Sequence, residues 1–187
     1  MNNLIEHIKS RISITAEEIN LIEKYTSYEE VPAQTNLLKT GKTEGYINFL
    51  SSGIVKGYLN IDGKLIVQYL ASENQFFTSL DSFMHQTPSL ENFETITDCK
   101  LLRISKTDFD VLKQFGSFWT NYVEIVTGEH LARKLERVQD FQTLTAKERY
   151  QKFIKDSPHL ALNVSVENIA SFLGMEPQSL SRIRKQI

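Results

Sequence analysis

The chain has a single cysteine, Cys99, in 187 residues. One thiol excludes an internal disulfide, a cysteine-based zinc site and a four-cysteine iron–sulfur cluster, and Cys99 reads as a buried strand residue. Histidine is scarce as well: His7, His85, His130 and His159 lie in different segments, with no His-x-His pair. No Ser/His/Asp or Cys/His constellation follows from the spacing. A metal-dependent small-barrel enzyme needs clustered ligands, so the chain reads as no enzyme, with no metal and no cofactor. No apolar run is long enough for a membrane span and no charged-then-apolar leader opens the sequence. The expected location is cytoplasmic, without a membrane partner.

Net charge of either sign is also nearly missing, at −2 overall, which by itself argues mildly against nucleic acid. Its distribution argues the other way. Residues 143–187 hold seven Lys/Arg against four Asp/Glu, a net of +3, and the preceding residues hold 14 against 19, a net of −5. A basic C-terminal module on an acidic body suits a protein that docks DNA with one end. The hydrophobic share of 41% and charged share of 24% belong to an ordinary globular protein of one large domain or two small ones.

What is present divides into three regimes. Residues 1–31 read as helical, with Leu4, Ile5, Ile8 and Ile12 in period and a capping box, Thr15-Ala-Glu-Glu18, opening a second short helix through Ile22. From Pro32 to about Ile104 the pattern changes to short strands. They are Tyr46–Leu50, Ile54–Ile61, Leu65–Leu70, Phe93–Thr97 and Cys99–Ile104, with Asp62-Gly63 as a hairpin turn. Such spacing indicates a compact antiparallel barrel or sandwich. Ser105-Lys-Thr-Asp108 then caps a short helix, and a break at Phe115-Gly116 precedes a long helix to about Phe141. Within it Gly128, Leu131, Leu135 and Val138 recur at 3-4-3 spacing, the seam of a helix that pairs with a copy of itself. Thr145-Ala-Lys-Glu148 is another capping box, opening a helix through about Ile154, and Pro158 ends that segment.

The final residues read as two amphipathic helices joined at Gly174. Val166, Ile169, Ala170 and Leu173 form one apolar stripe, and Ser165 is its N-cap. Gly174 supplies the left-handed turn, and Pro177 opens the next helix at no hydrogen-bonding cost. Leu180, Ile183 and Ile187 face inward there. Gln178, Ser181, Arg182 and Lys185 share the outer face, an amide, a hydroxyl and two cations at i, i+3, i+4 and i+7. A helix-turn-helix that reads a major groove needs such groups at such spacing.

Barrel, long helix, helix-turn-helix: this order resembles the Crp/Fnr family of bacterial transcription regulators. The resemblance is carried by Phe49-Leu-Ser-Ser-Gly-Ile-Val-Lys-Gly-Tyr58, Asp62-Gly63-Lys64, Leu101-Leu-Arg-Ile104 and Thr145-Ala-Lys-Glu-Arg-Tyr150. Ile169-Ala-Ser-Phe-Leu-Gly174 and Leu180-Ser-Arg-Ile-Arg-Lys185 complete it. It implies an α+β protein: an N-terminal antiparallel β-roll of the double-stranded β-helix type with short flanking helices (1–115), a dimerisation helix (116–142) and a helix-turn-helix domain (143–187). The implied function is homodimeric, sequence-specific DNA binding, with RNA polymerase as a further candidate partner. By position, Pro177, Gln178, Ser181 and Arg182 would approach base edges, Arg182 most naturally a guanine, while Ser179, Arg184 and Lys185 would meet phosphates.

Two departures shape the expectation. The Gly-Glu pair and downstream Arg that hold a cyclic nucleotide in such barrels fall here on Thr78, Ser79 and Ser89. No cation remains for a phosphate, so cyclic AMP is not expected. A different small molecule, lodged near Phe77, Thr78, Ser79 and Ser89, is an open alternative. The family's iron–sulfur branch is excluded by the cysteine count, and four scattered histidines do not support haem. The residues also stop close behind the recognition helix, without the β-hairpin wing of many relatives, which would weaken phosphate contacts. The competing reading is a ligand-sensing adaptor that works through protein partners without DNA.

Overall fold

The computed structural model describes residues 1–186. Two short helices, α1 (Asn2–Lys9) and α2 (Ala16–Lys24), open the chain. The predicted capping box at α2 is formed: the Thr15 hydroxyl accepts the Glu18 N–H, and the Glu18 carboxylate accepts the Thr15 N–H. Eight strands follow: β1 (Ser27–Val31), β2 (Asn36–Leu38), β3 (Tyr46–Ser52), β4 (Val55–Ile61), β5 (Lys64–Ala71), β6 (Gln75–Phe77), β7 (Asn92–Thr95) and β8 (Cys99–Ser105). A short helix, α3 (Leu80–His85), sits between β6 and β7. The strands make two antiparallel sheets of four, in the orders β1-β8-β3-β6 and β2-β7-β4-β5. This is the expected roll.

Three differences from the sequence reading stand out. Ser27–Val31 is a strand, where the sequence read as helix; only Val31 is buried and the strand is set by its ladder with β8. The three-residue strands β2 and β6 and the helix α3 carry too little apolar alternation to be visible locally. The helix before Pro158 does end there, at Asp156, but Pro158 also opens a further helix, α7 (Pro158–Asn163), at its first position. Proline is as much at home there as after a helix end.

Asp62 and Gly63, both at positive φ (52° and 84°), make the β4–β5 turn in register Ile61↔Lys64. That is the primed turn which Asp-Gly favours. Between the sheets, Leu50, Val55, Phe77, Phe93, Cys99 and Leu101 form the inner core. A second core lies on the outer face of the β3/β8/β6 sheet. There Phe49, Leu102 and Ile104 meet α1, α2, α4 (Lys106–Leu112) and the start of α5 (Ser117–Thr143).

Helix α5 has 27 residues, about 40 Å at 1.5 Å per residue. Trp119 and Tyr122 near its start are buried, whereas Leu131, Leu135 and Val138 are exposed and Gly128 faces open space. The C-terminal head holds α6 (Ala146–Asp156), α7, α8 (Val166–Phe172) and α9 (Pro177–Arg184). No helix is long and apolar enough to cross a membrane among the described residues.

Candidate nucleic-acid interface

The helix pair α8–α9 is built as its sequence dictates. Ser165 accepts the Asn168 N–H, Gly174 turns at φ 63°, and Pro177 is the first residue of α9. Gly174 is demanded twice over, because a Cβ there would come within 2.6 Å of the Phe141 ring. Ile169, Ala170, Leu173 and Leu180 are buried in one cluster with Tyr150, Phe153 and Leu160, and Ile183 packs against it. Ile187, expected on the same stripe, lies outside the described residues. On the outer edge Gln178, Ser181, Arg182 and Lys185 are exposed, and Pro177 and Ser179 are half-exposed. The structure thus brings the expected reading residues to one solvent-facing edge.

Arg184 departs from expectation. Its guanidinium donates to the Tyr150 hydroxyl (3.0 Å) and to the Ala161 carbonyl (3.3 Å) and packs over the Tyr150 ring. Arg184 therefore ties α9 to α6 and α7, where the sequence reading gave it a phosphate. Its place one turn behind the inward Leu180 explains this. Two more cations of the basic segment are similarly engaged. Arg149 donates to the terminal carbonyls Leu173 (3.0 Å) and Leu144 (2.7 Å), and Lys152 pairs with Glu136 and Asp140 on α5, both at 2.7 Å. The net charge of the segment overstates what is free to meet phosphates.

The head is docked on the barrel, a feature the sequence did not show. The Ser171 hydroxyl of α8 accepts the Val67 N–H (2.9 Å) and donates to the Leu65 carbonyl (3.1 Å), so it caps the edge strand β5. Ile54, Val67 and Leu70 of the barrel share the head's apolar cluster. Arg137 of α5 closes the junction. It donates to the Gln68 and Val67 carbonyls, and its guanidinium lies 4.2 Å from the Phe172 ring centre. Its Nε is buried without a partner among the described residues, and burial lowers its pKa from the ordinary value. A guanidinium held by carbonyls and rings, with no carboxylate, is a costly group to bury.

In the barrel, the positions expected to hold a ligand divide. Ser79 and Ser89 are buried and face each other, their hydroxyl oxygens 2.9 Å apart, and Ser89 also accepts the Glu91 N–H. They bond with each other, and neither is among the residues lining the cavity described next. Buried Glu44 accepts backbone N–H groups of Tyr46 and Ser79; burial raises its pKa and those donors hold it back. The Ser79 N–H is thus already committed to a carboxylate. Inside the roll, the buried Phe77 and Phe93 rings lie with centres 5.4 Å apart, tilted by 37°.

Phe77 and Thr78 do border a cavity, but on the other side of the sheet. It holds about 240 Å³ between the outer face of β3 and β6 (Ile47, Phe76), α3 (Leu80, Met84), α4 (Phe109) and α5. From α5 come Trp119, Tyr122, Val123, Val126, Thr127, His130 and Arg133. Sequence reasoning missed most of this lining because it converges from five elements distant along the chain. The Tyr122 hydroxyl and Nδ1 of His7 share a hydrogen bond of 2.7 Å. Burial, with nearby Arg11, lowers the His7 pKa to about 4; burial, with Lys134 and Arg133, does the same for His130.

With this geometry in hand, likeness to known proteins follows. Residues 28–114 match the cyclic nucleotide-binding domain family. No curated protein sequence matches the chain. Among solved structures, FixK2 from Bradyrhizobium japonicum superposes with a TM-score of 0.76 at 16% identity, over 86% of this chain and 83% of that one. The c-di-GMP-responsive global regulator CLP of Xanthomonas campestris gives 0.66 at 19% identity, covering 92% and 91%. A Crp/Fnr-family transcriptional regulator from Eubacterium rectale gives 0.70 at 15% identity, covering 92% and 83%. The chain has a cyclic nucleotide-binding-type roll, a long helix and C-terminal helices, the fold of Crp/Fnr regulators.

Proposed function

We propose that the chain is a homodimeric, sequence-specific DNA-binding transcription regulator of the Crp/Fnr type. The observation that carries this reading is the outer edge of α9. Gln178, Ser181, Arg182 and Lys185 are exposed together, and none of their side chains has a hydrogen-bond or ion-pair partner among the described residues. An unspent amide, hydroxyl and guanidinium on a braced helix are what a major groove requires.

Dimerisation rests on the face of α5 turned from the barrel. Leu131, Leu135 and Val138 are 53–60% exposed, and Gly128 lets a second helix approach closely. A stripe this apolar on a helix this long is stabilised by covering it with a copy of itself. Loss of cyclic nucleotide binding is supported by the Ser79–Ser89 pair, the Ser79 N–H held by Glu44, and the buried Phe77 and Phe93 rings in the roll.

The test is footprinting on genomic DNA with the full chain. A dimer of this kind protects two half-sites about 34 Å apart, with affinity falling steeply as salt rises. Protection of one half-site alone, or none with any sequence preference, removes the reading. A second reading, a ligand-sensing adaptor acting on protein partners, is favoured by one observation. Helix α8, which in such a motif crosses the DNA backbone, is bonded to β5 through Ser171.

A further inference from the structure

The cavity between the outer sheet face and α5 is two-sided in chemistry. Its inner walls are hydrocarbon and aromatic: Ile47, Phe76, Phe109, Trp119 and Val123. Toward the other end Thr127, His130 and Arg133 follow at i, i+3 and i+6 along α5, a polar edge on an otherwise apolar space. At about 240 Å³, it is smaller than the ~300–1,000 Å³ typical of drug-sized ligands. It has room for a single ring or a short branched chain.

The charge at that edge is net positive, since two guanidiniums, Arg11 and Arg133, share the one carboxylate of Glu129. Arg11 and Glu129 neutralise each other through a bidentate pair (3.0 and 2.9 Å). His7 and His130 are held neutral. Arg133 is exposed, borders the cavity and has no ion-pair or side-chain hydrogen-bond partner among the described residues, Glu129 acting on it from beyond ion-pair distance. A cation left unpaired beside an apolar pocket favours an anion whose body is apolar, because a planar guanidinium takes a carboxylate in a bidentate grip. Trp119 forms a wall with its indole N–H buried and unpartnered among the described residues, so the wall is not optimised for its own packing alone.

We propose that this cavity binds a small apolar monocarboxylate, with its hydrocarbon body against Phe76, Trp119 and Val123 and its carboxylate on Arg133. The site is on the opposite face of the sheet from the roll interior, where the buried Phe77 and Phe93 rings lie. Arg133 lies one turn before Arg137, the residue that joins α5 to β5 and α8. Occupancy is thus placed to bias the head, a consequence that rests on the regulator reading, whereas binding itself does not.

Trp119 is the only tryptophan in the chain, so its emission reports the cavity directly. The full-length protein is titrated with phenylacetate, benzoate and hexanoate, and with neutral phenylacetamide. A saturable change with at least one carboxylate is expected, with phenylacetamide about tenfold weaker than phenylacetate or more. Arg133→Gln weakens the carboxylate about tenfold and leaves the amide unchanged. Val126→Phe, with unaltered circular dichroism, abolishes both by filling the space. No saturable response to any carboxylate, or equal carboxylate affinity in Arg133→Gln, overturns the proposal. Retained phenylacetate binding by a protein that fails to footprint DNA would sink the regulator reading alone.

Discussion

Helices α8 and α9 have similar lengths and share one apolar core, yet they use their polar groups in opposite ways. In α8 the Ser171 hydroxyl is engaged with two backbone groups of β5. In α9 the hydroxyl of Ser181, the amide of Gln178 and the cations of Arg182 and Lys185 bond to nothing among the described residues. One helix anchors the head and the other is held ready. Unspent polar groups on a helix fixed from behind indicate a partner, whereas satisfied ones explain only where the helix sits.

The contrast can be broken or sharpened by five substitutions, the strongest first. Leu180→Ala empties a site with no solvent exposure and should cost about 2–5 kcal/mol in denaturant unfolding of the head, abolishing the distinction by loosening both helices. Arg182→Ala should leave stability within about 0.5 kcal/mol while costing about 1–3 kcal/mol of DNA affinity at one base pair. A uniform loss over all sequences would show that Arg182 holds only phosphate.

Ser171→Ala strips the Val67 N–H and Leu65 carbonyl of their partner, for about 1–2 kcal/mol. Faster amide exchange at Val67 reads this, with DNA affinity kept or raised. Unchanged exchange would place the anchor elsewhere. Smallest of all, Lys185→Ala should lower the salt slope of DNA binding by about 1 with no loss of stability. Arg184→Ala should do the reverse, since its guanidinium is held by Tyr150 and Ala161.

Acid should loosen the barrel that carries α8 without touching α9. His7 and His130 have folded pKa values lowered to about 4 from an ordinary 6.5. The unfolded chain therefore takes up protons first. Their contribution to stability is whole above pH 6.5 and is lost as pH falls from there toward 4. A urea midpoint that does not fall between about pH 7 and about pH 5 would contradict this sign.

Much of this was legible because it is local. Capping at Thr15, Thr145 and Ser165, the Asp62-Gly63 turn and the Gly174–Pro177 punctuation depend on a few adjacent residues, and the structure forms each of them. What escaped is what the chain makes by meeting itself. Strand β1 shows four exposed positions out of five, so only its ladder with β8 reveals it. Arg184 lies among residues that do face outward, and its direction depends on Tyr150, 34 residues away. The Ser171–β5 bond spans more than a hundred residues. For Ser79 and Ser89, the sequence placed both in the ligand-holding region but not against each other.

The hydroxyl of Ser171 has one more consequence. Strand β5 is an edge of its sheet, and a bare edge is a template on which any other strand can pair. While the head is seated, that stretch is sealed. When the head lifts, Leu65 and Val67 become sticky toward neighbouring molecules. A long-lived undocked population would therefore reveal itself as self-association at high protein concentration, and solubility becomes a readout of head position.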